Sequence, residues 1–366
     1  MGLRNGTLEE LVMADFWKGR RVLVTGHTGF KGAWLSFYLA QMGSEVSGIA
    51  LAPATQPNLH DILDIPARGN FIHADINDRD ALAGLMRAAK PEVVIHMAAQ
   101  SLVRPSYEQP VETFATNVVG TVTVLDAVRN CPETRAALVV TSDKAYENNE
   151  WVWGYRESDA LGGHDPYSAS KGAAEIATSA MRRSFFHKGG HPARIASARA
   201  GNVIGGGDWS VDRLVPDIVR ACLSGDGVVR LRNPGSIRPW QHVLEPLDGY
   251  LKIAERLCRD PEGVDEAWNI GPEASSSRTV KDVADAIVAA LGRGRVGVAQ
   301  DAKAPHEANL LTLDCTKAKS HLGIVPRLTF EETIAMTGQW YGAWSRKEDM
   351  QAVTRDQIAM FQAKAP

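Results

Sequence analysis

The chain predicts an α/β fold, a parallel sheet with helices on both faces joined to a smaller mixed C-terminal lobe. Three observations predict it. Between residues 21 and 199, short apolar runs alternate with segments of helical apolar spacing, and no hairpin signal falls between them. The first apolar run ends in a glycine loop that opens a helix. Beyond residue 202 the alternation loosens; Gly205, Gly206 and Gly207 form a run, and Pro216, Pro234, Pro239 and Pro246 read as loop punctuation. Parallel strands joined through helices require right-handed crossovers, so the first lobe is expected to be Rossmann-type.

Residues 21–25 (RVLVT) are the first buried strand. Residues 31–42 have helical spacing and stop at Gly43, a good left-handed helix end. Residues 45–50 and 71–74 are the next strands, 80–89 a helix and 91–97 the fourth strand. Residues 111–129 form a long helix, 136–141 the fifth strand, 166–186 a second long helix and 194–199 the sixth strand. Residues 267–271 (AWNIG) are expected to return to the first sheet, and the chain beyond 328 is helical in character.

The 366 residues suffice for two lobes and a large core. A net charge of -3 and the lack of a basic run give no field that favours nucleic acid, so local cations must hold any anionic ligand. Cys131, Cys222, Cys258 and Cys315 are scattered, with neither disulfide-framework nor zinc spacing, which fits a reducing compartment and no metal. No apolar leader and no run of about 18 apolar residues occurs. A cytoplasmic enzyme without a membrane partner is expected.

Residues 25–32 read TGHTGFKG, with glycines at 26, 29 and 32 between a strand and a helix. Gly26 permits the tight turn, Gly29 lets backbone approach a pyrophosphate, and Gly32 lets the helix pack on the sheet. The helix start then offers free N–H groups and a positive dipole to phosphate. This context predicts a dinucleotide site formed by Gly26, His27, Thr28, Gly29, Phe30, Lys31 and Gly32. Asp75 and Ile76 after the third strand, and Ala98, Ala99 and Gln100 after the fourth, are assigned to the same ligand. The second strand ends Ala50-Leu51-Ala52-Pro53, with neither the acid that holds a ribose hydroxyl nor an arginine for a 2′-phosphate. The loop therefore leaves NAD and NADP undecided.

Tyr167 and Lys171 stand four residues apart on a predicted helix and share a face. A phenol is a poor base at neutral pH, with a reference pKa of about 10, but a neighbouring ammonium favours its phenolate. Tyr167 can then take a proton from a substrate hydroxyl as hydride leaves, and both residues are also expected to border the cofactor. The fifth strand ends in VTSDKAY, where Thr141 and Ser142 both offer a hydroxyl at the ligand-binding edge. Asp143 and Lys144 add an acid and a base beyond what hydride transfer needs.

TGHTGFKG, TSDKAY, WVWGYRE and YSASK, with RAGNVIGGGDW and RPWQHVLEPL further on, resemble the extended short-chain dehydrogenase/reductase family. Within it they are most similar to the nucleotide-sugar 4,6-dehydratases, and there to the branch acting on CDP-glucose, over residues 16–344. The resemblance implies NAD as a recycled cofactor, Ser142 as the hydroxyl of a triad with Tyr167 and Lys171, and Asp143 as the acid at the C6 hydroxyl. Lys144 stands where many of these enzymes carry Glu; it is the expected base at C5. Epimerases of the superfamily usually lack this charged pair. Asn202, Arg213, Arg238 and His306 are the expected substrate contacts.

The implied reaction is NAD-dependent conversion of a nucleotide sugar, first of all CDP-glucose, to its 4-keto-6-deoxy form. A dehydratase or epimerase for another nucleotide sugar is the alternative, and a non-catalytic NAD-sensing protein a remote one. The expected organisation is an extension over 1–15, a dinucleotide lobe over 16–202 with 238–272, and a substrate lobe over 203–237 and 273–366. The two long helices carry apolar residues on more than one face, which predicts a homodimer or tetramer.

Overall fold

The computed structural model describes residues 15–187, 190–298 and 310–364. The strands in chain order are β1 (Arg21–Thr25), β2 (Glu45–Ala50), β3 (Gly69–His73), β4 (Val93–His96), β5 (Ala136–Val140), β6 (Arg194–Arg199), β7 (Val203–Ile204), β8 (Val228–Leu231), β9 (Ile237–Pro239), β10 (Gln241–His242), β11 (Ala267–Asn269), β12 (Ser277–Thr279) and β13 (Arg295–Val298). Among the described residues, seven of them form one parallel sheet in the order β11-β6-β5-β4-β1-β2-β3. The order reverses between β1 and β4, which pair Thr25 with His96. Ligands of such sheets bind in the crevice beyond that switch point.

The strands read as apolar runs because both faces are covered. Val22 and Val24 of β1, and Leu138 and Val140 of β5, join one core with Trp34 and Phe37. Leu23 and Val139 join the other with Leu82, Leu125 and Val128. This alternation is the two-residue period of a strand buried on both sides.

The principal helices are α1 (Phe30–Gln41), α2 (Arg79–Ala89), α3 (Pro110–Arg129), α4 (Pro166–Met181), α5 (Leu214–Ser224), α6 (Leu244–Arg259), α7 (Val280–Leu291), α8 (Phe330–Ser345) and α9 (Met350–Gln362). Each long helix predicted from spacing carries a wide turn, within α3 at Ala115–Val119 and after α4 at Arg182–Phe186. By length and composition α3 could cross a membrane, which the search for apolar runs did not anticipate. Thr113, Asn117 and Thr121 on it are buried and hydrogen-bonded within the protein, so one face of it packs into the fold.

The loop expectation needs correction at three prolines. Pro216 and Pro246 lie in the first turns of α5 and α6, where a missing N–H costs no helical hydrogen bond, and Pro239 ends β9. The glycine run lies in a turn, as expected, and it also lets the chain pack closely. A Cβ on Gly206 would stand 2.0 Å from Trp340, and Gly206 carbonyl oxygen accepts from Trp34 Nε1 at 2.9 Å.

Candidate functional site

Gly26 has φ 79°, and a Cβ there would stand 2.7 Å from Ala98 N. A Cβ on Gly32 would stand 2.1 Å from Gly26 carbonyl oxygen. Both glycines are therefore fixed by the turn itself. At Gly29 the nearest atom to a Cβ would be Gly26 carbonyl oxygen at 3.5 Å, an ordinary contact, so the turn itself does not require glycine there. Gly29 precedes α1; among the described residues no side chain caps that helix, and Thr28 hydroxyl donates to Leu51 carbonyl instead (2.9 Å). The first N–H groups of α1 point to an anion, and the cradle fits a dinucleotide pyrophosphate.

The side chain of His27 does not reach that cradle. It is buried among His60, Phe71 and His73, and burial lowers its pKa to about 4. Phe30 is buried in the core. Asp75 is exposed after β3 and accepts from Asn77 N at 2.8 Å, while Ile76 packs into the core against α3. Thr25 Oγ1 accepts from Met97 N and Ala98 N, at 3.1 and 3.0 Å, which fixes the stretch leading to Ala99 and Gln100.

Asn117, which the sequence did not single out, ties this edge to α4. Its Oδ1 accepts from Gln100 N, and its Nδ2 lies 2.9 Å from Gln100 carbonyl oxygen and 2.8 Å from Ser170 Oγ. It sits in the wide turn of α3, a distortion often found at functional sites.

The end of β5 presents the predicted hydroxyl, acid and base side by side. Thr141 hydroxyl donates to Glu175, so its hydrogen bond is directed away from Asp143. Ser142 Oγ donates to Asp143 Oδ1 at 2.9 Å and shares a hydrogen bond with Tyr167 hydroxyl. The geometry thus separates two hydroxyls that the sequence left open. Asp143 is buried; its Oδ2 accepts from Asn202 Nδ2 at 3.2 Å, and Lys144 Nζ stands 3.7 Å from Oδ1. A Cβ on Gly201 would stand 1.8 Å from Asp143 Oδ2, so this glycine makes room for the acid.

Tyr167 and Lys171 are both buried on α4. Burial raises the Tyr167 pKa; the Lys144 ammonium and the Ser142 hydrogen bond pull it down. Burial lowers Lys171 to about 8, against the opposing pull of Glu175 one turn on. Glu175 accepts from Thr141, Ser197 and Arg199, and Arg199 also donates to Tyr146 hydroxyl at 2.7 Å. Lys31, expected at the cofactor, lies over the Tyr250 ring with its charge close to Lys171, Arg213 and Asp143; burial chiefly brings its pKa to about 7.

The predicted substrate residues divide. Asn202 reaches Asp143, as above. Arg213 donates to Ser101 Oγ at 2.9 Å and Asp208 Oδ2 at 3.2 Å. Arg238 lies on β9, whose neighbours Ile237 and Pro239 line a cavity of about 310 Å³ that reaches Asp143 and Gly201. His306 lies outside the described residues. Asn117, Gly201 and the Glu175–Arg199 pair escaped sequence reading because their contacts are long-range; a buried polar residue carries no motif of its own.

A family profile described as GDP-mannose 4,6 dehydratase matches residues 23–337. The chain is 47% identical over 354 residues to a CDP-glucose 4,6-dehydratase of Salmonella typhimurium, covering 96% of this chain and 98% of that protein. It is 29% identical over 340 residues to a dTDP-glucose 4,6-dehydratase of Xanthomonas campestris pv. campestris, covering 87% and 92%. A crystal structure of dTDP-glucose 4,6-dehydratase from Streptomyces venezuelae with NAD bound superposes with a TM-score of 0.74 at 25% identity, over 88% of this chain and 96% of that one. A UDP-glucose 4-epimerase from Thermotoga maritima shares the fold, with a TM-score of 0.75 at 21% identity over 87% and 98%. The chain belongs to the nucleotide-sugar 4,6-dehydratase family of extended short-chain dehydrogenase/reductases.

Proposed function

We propose that this protein catalyses the NAD-dependent 4,6-dehydration of a nucleotide sugar, with CDP-glucose as its preferred substrate. The observation that carries the reading is the buried acid Asp143 beside Lys144, on the strand end that also brings Ser142 to Tyr167. Hydride transfer alone needs no such acid–base pair. The CDP-glucose assignment rests on the 47% identical relative.

The turn from Gly26 to Gly32 would hold NAD, which would accept the C4 hydride and give it back at C6 within one turnover. Tyr167 takes the C4 hydroxyl proton, with Ser142 hydrogen-bonded to the same oxygen and Lys171 holding positive charge beneath. Oxidation at C4 acidifies the C5 proton. A proton passed from the Lys144 ammonium to Asp143 across their 3.7 Å contact makes Lys144 the base that removes it and Asp143 the acid that protonates the leaving C6 hydroxyl, so water departs across C5 and C6. Asn202 and Gly201 hold Asp143 in position for that transfer. Lys144 then returns a proton to C5, which completes the 4-keto-6-deoxy sugar.

Residues 16–202 with 238–272 form the cofactor lobe and residues 203–237 with 273–366 the substrate lobe, a division supported by the return of β11 beside β6. The protein acts as a homodimer. Val111, Phe114 and Val119 of α3 and Ile176 of α4 are exposed, 38–73% each, and offer an apolar face to a second copy. Sedimentation should give at least twice the chain mass at micromolar concentration; a monomer rejects this assembly.

Incubation with CDP-, dTDP-, GDP- and UDP-sugars tests the activity. CDP-glucose should yield the alkaline absorbance of a 4-keto sugar without accumulating NADH. Stoichiometric NADH would mark an ordinary dehydrogenase. Faster turnover of another sugar nucleotide would leave dehydration standing and change the substrate.

A further inference from the structure

One carboxylate at the mouth of the site serves two cations and satisfies neither. Arg104 lies in the short helix Val103–Glu108 after β4, and Arg232 directly follows β8. Both face Oδ1 of Asp212, at 3.6 and 3.7 Å. A charge-assisted hydrogen bond is shorter, about 2.7–2.9 Å. The three side chains are about one-third exposed, at 35%, 30% and 37%. Asp212 has φ 57°, in the left-handed region that ordinary side chains avoid.

The next residue places this cluster. Arg213 opens α5 and bonds Ser101, which follows β4, and its charge reaches both Lys31 and Tyr167. The Arg104–Asp212–Arg232 group thus stands at the entrance to the catalytic edge. Two guanidiniums converging from separate elements would repel each other without an anion between them. A single carboxylate oxygen neutralises only one of the two charges and uses none of their fork geometry. Two linked phosphates match both features, because each presents oxygens for a forked contact.

We propose that Asp212 is an internal stand-in for a phosphate, and that its carboxylate competes with the substrate's diphosphate for Arg104 and Arg232. This rests on the nucleotide-sugar reading of the site. The proposal has an unusual sign. Removing a carboxylate from the binding site should tighten binding, whereas a merely structural Asp212 would weaken it when lost.

The test is CDP binding by titration calorimetry to the intact protein and to Asp212→Asn, Arg104→Gln and Arg232→Gln, with inorganic pyrophosphate as a second probe. Asp212→Asn should bind both probes about threefold to fivefold more tightly, the scale of a part-exposed ion pair. Each arginine variant should bind them about fivefold more weakly. Asp212→Gly, which also relieves the backbone, should match Asp212→Asn, and thermal melting identifies any variant that fails to fold. Weaker or unchanged CDP binding by both folded Asp212 variants overturns the stand-in. A wild-type protein that binds neither CDP nor any other nucleoside diphosphate overturns the nucleotide-sugar reading itself.

Discussion

The proposed catalytic edge and the proposed substrate mouth are built on opposite principles. At the edge, Ser142, Asp143, Tyr167, Lys171, Glu175 and Arg199 are all buried, and most are tied to one another by hydrogen bonds. At the mouth, Arg104, Asp212 and Arg232 are part-exposed and separated by more than hydrogen-bond length. Groups that move protons work best when fixed in a low-dielectric setting before substrate arrives. Groups that recognise a charged ligand must exchange partners, so loosely paired cations suit them.

The strongest way to break this comparison is Tyr167→Phe. The ring still packs on α4, while the proton acceptor is lost. Turnover should fall by about two orders of magnitude or more, with CDP binding nearly unchanged. Near-full activity would move the chemistry away from this edge.

Lys144→Ala separates the two half-reactions. Tyr167, Lys171 and Ser142 remain, so substrate should still reduce the bound cofactor. Solvent deuterium should no longer enter C5, and overall turnover should fall by about a hundredfold. Normal exchange would remove Lys144 from the mechanism and leave Asp143 without its partner base.

The buried ammonium of Lys171 predicts an unusual stability profile. Its pKa is about 8 in the folded protein, against 10.5 for the free side chain. Between those values the unfolded chain holds a proton that the folded protein has released, so this group's contribution to stability rises with pH across that window. Relative to Lys171→Met, the wild type should gain about 1 kcal/mol from pH 8 to pH 9 in urea unfolding. A constant difference would mean that Lys171 is solvated rather than buried.

The edge was partly legible in the sequence because helix periodicity alone puts Tyr167 and Lys171 on one face. Ser142, Asp143 and Lys144 adjoin an apolar strand, and strands of this kind deliver their C-terminal ends to the ligand. What holds the edge was not legible. Asn117 is 53 residues from Ser170, and Glu175 is 24 from Arg199, so only the folded sheet brings these partners together. Local signals placed less than the fold does. Lys31 sits inside the glycine motif, and its side chain ends near Lys171 and Asp143, which the motif alone does not say. Pro216 and Pro246 suggested loops, although a helix's first turn accepts proline. The mouth was the least legible part, since scattered arginines look alike until Asp212 is seen between two of them.

Ionic strength should distinguish the two regions with the smallest effect and the cleanest sign. The Debye length falls from about 14 Å near 50 mM salt to about 6 Å near 300 mM, and screening acts mainly on exposed charges. Arg104, Asp212 and Arg232 are exposed enough to feel it, whereas Asp143 and Lys171 are buried. Two effects oppose each other at the mouth. Salt weakens the attraction between the arginines and the diphosphate, but it also weakens their hold on Asp212. The diphosphate carries more charge than one carboxylate, so its attraction is screened more. KM for the nucleotide sugar should therefore rise about twofold to threefold over that range, while kcat stays nearly constant. In Asp212→Asn the opposing effect is gone, and the rise should be steeper than in wild type. An equal loss in kcat would show that the charges at the edge are as open to solvent as those at the mouth, and the contrast between them would fail.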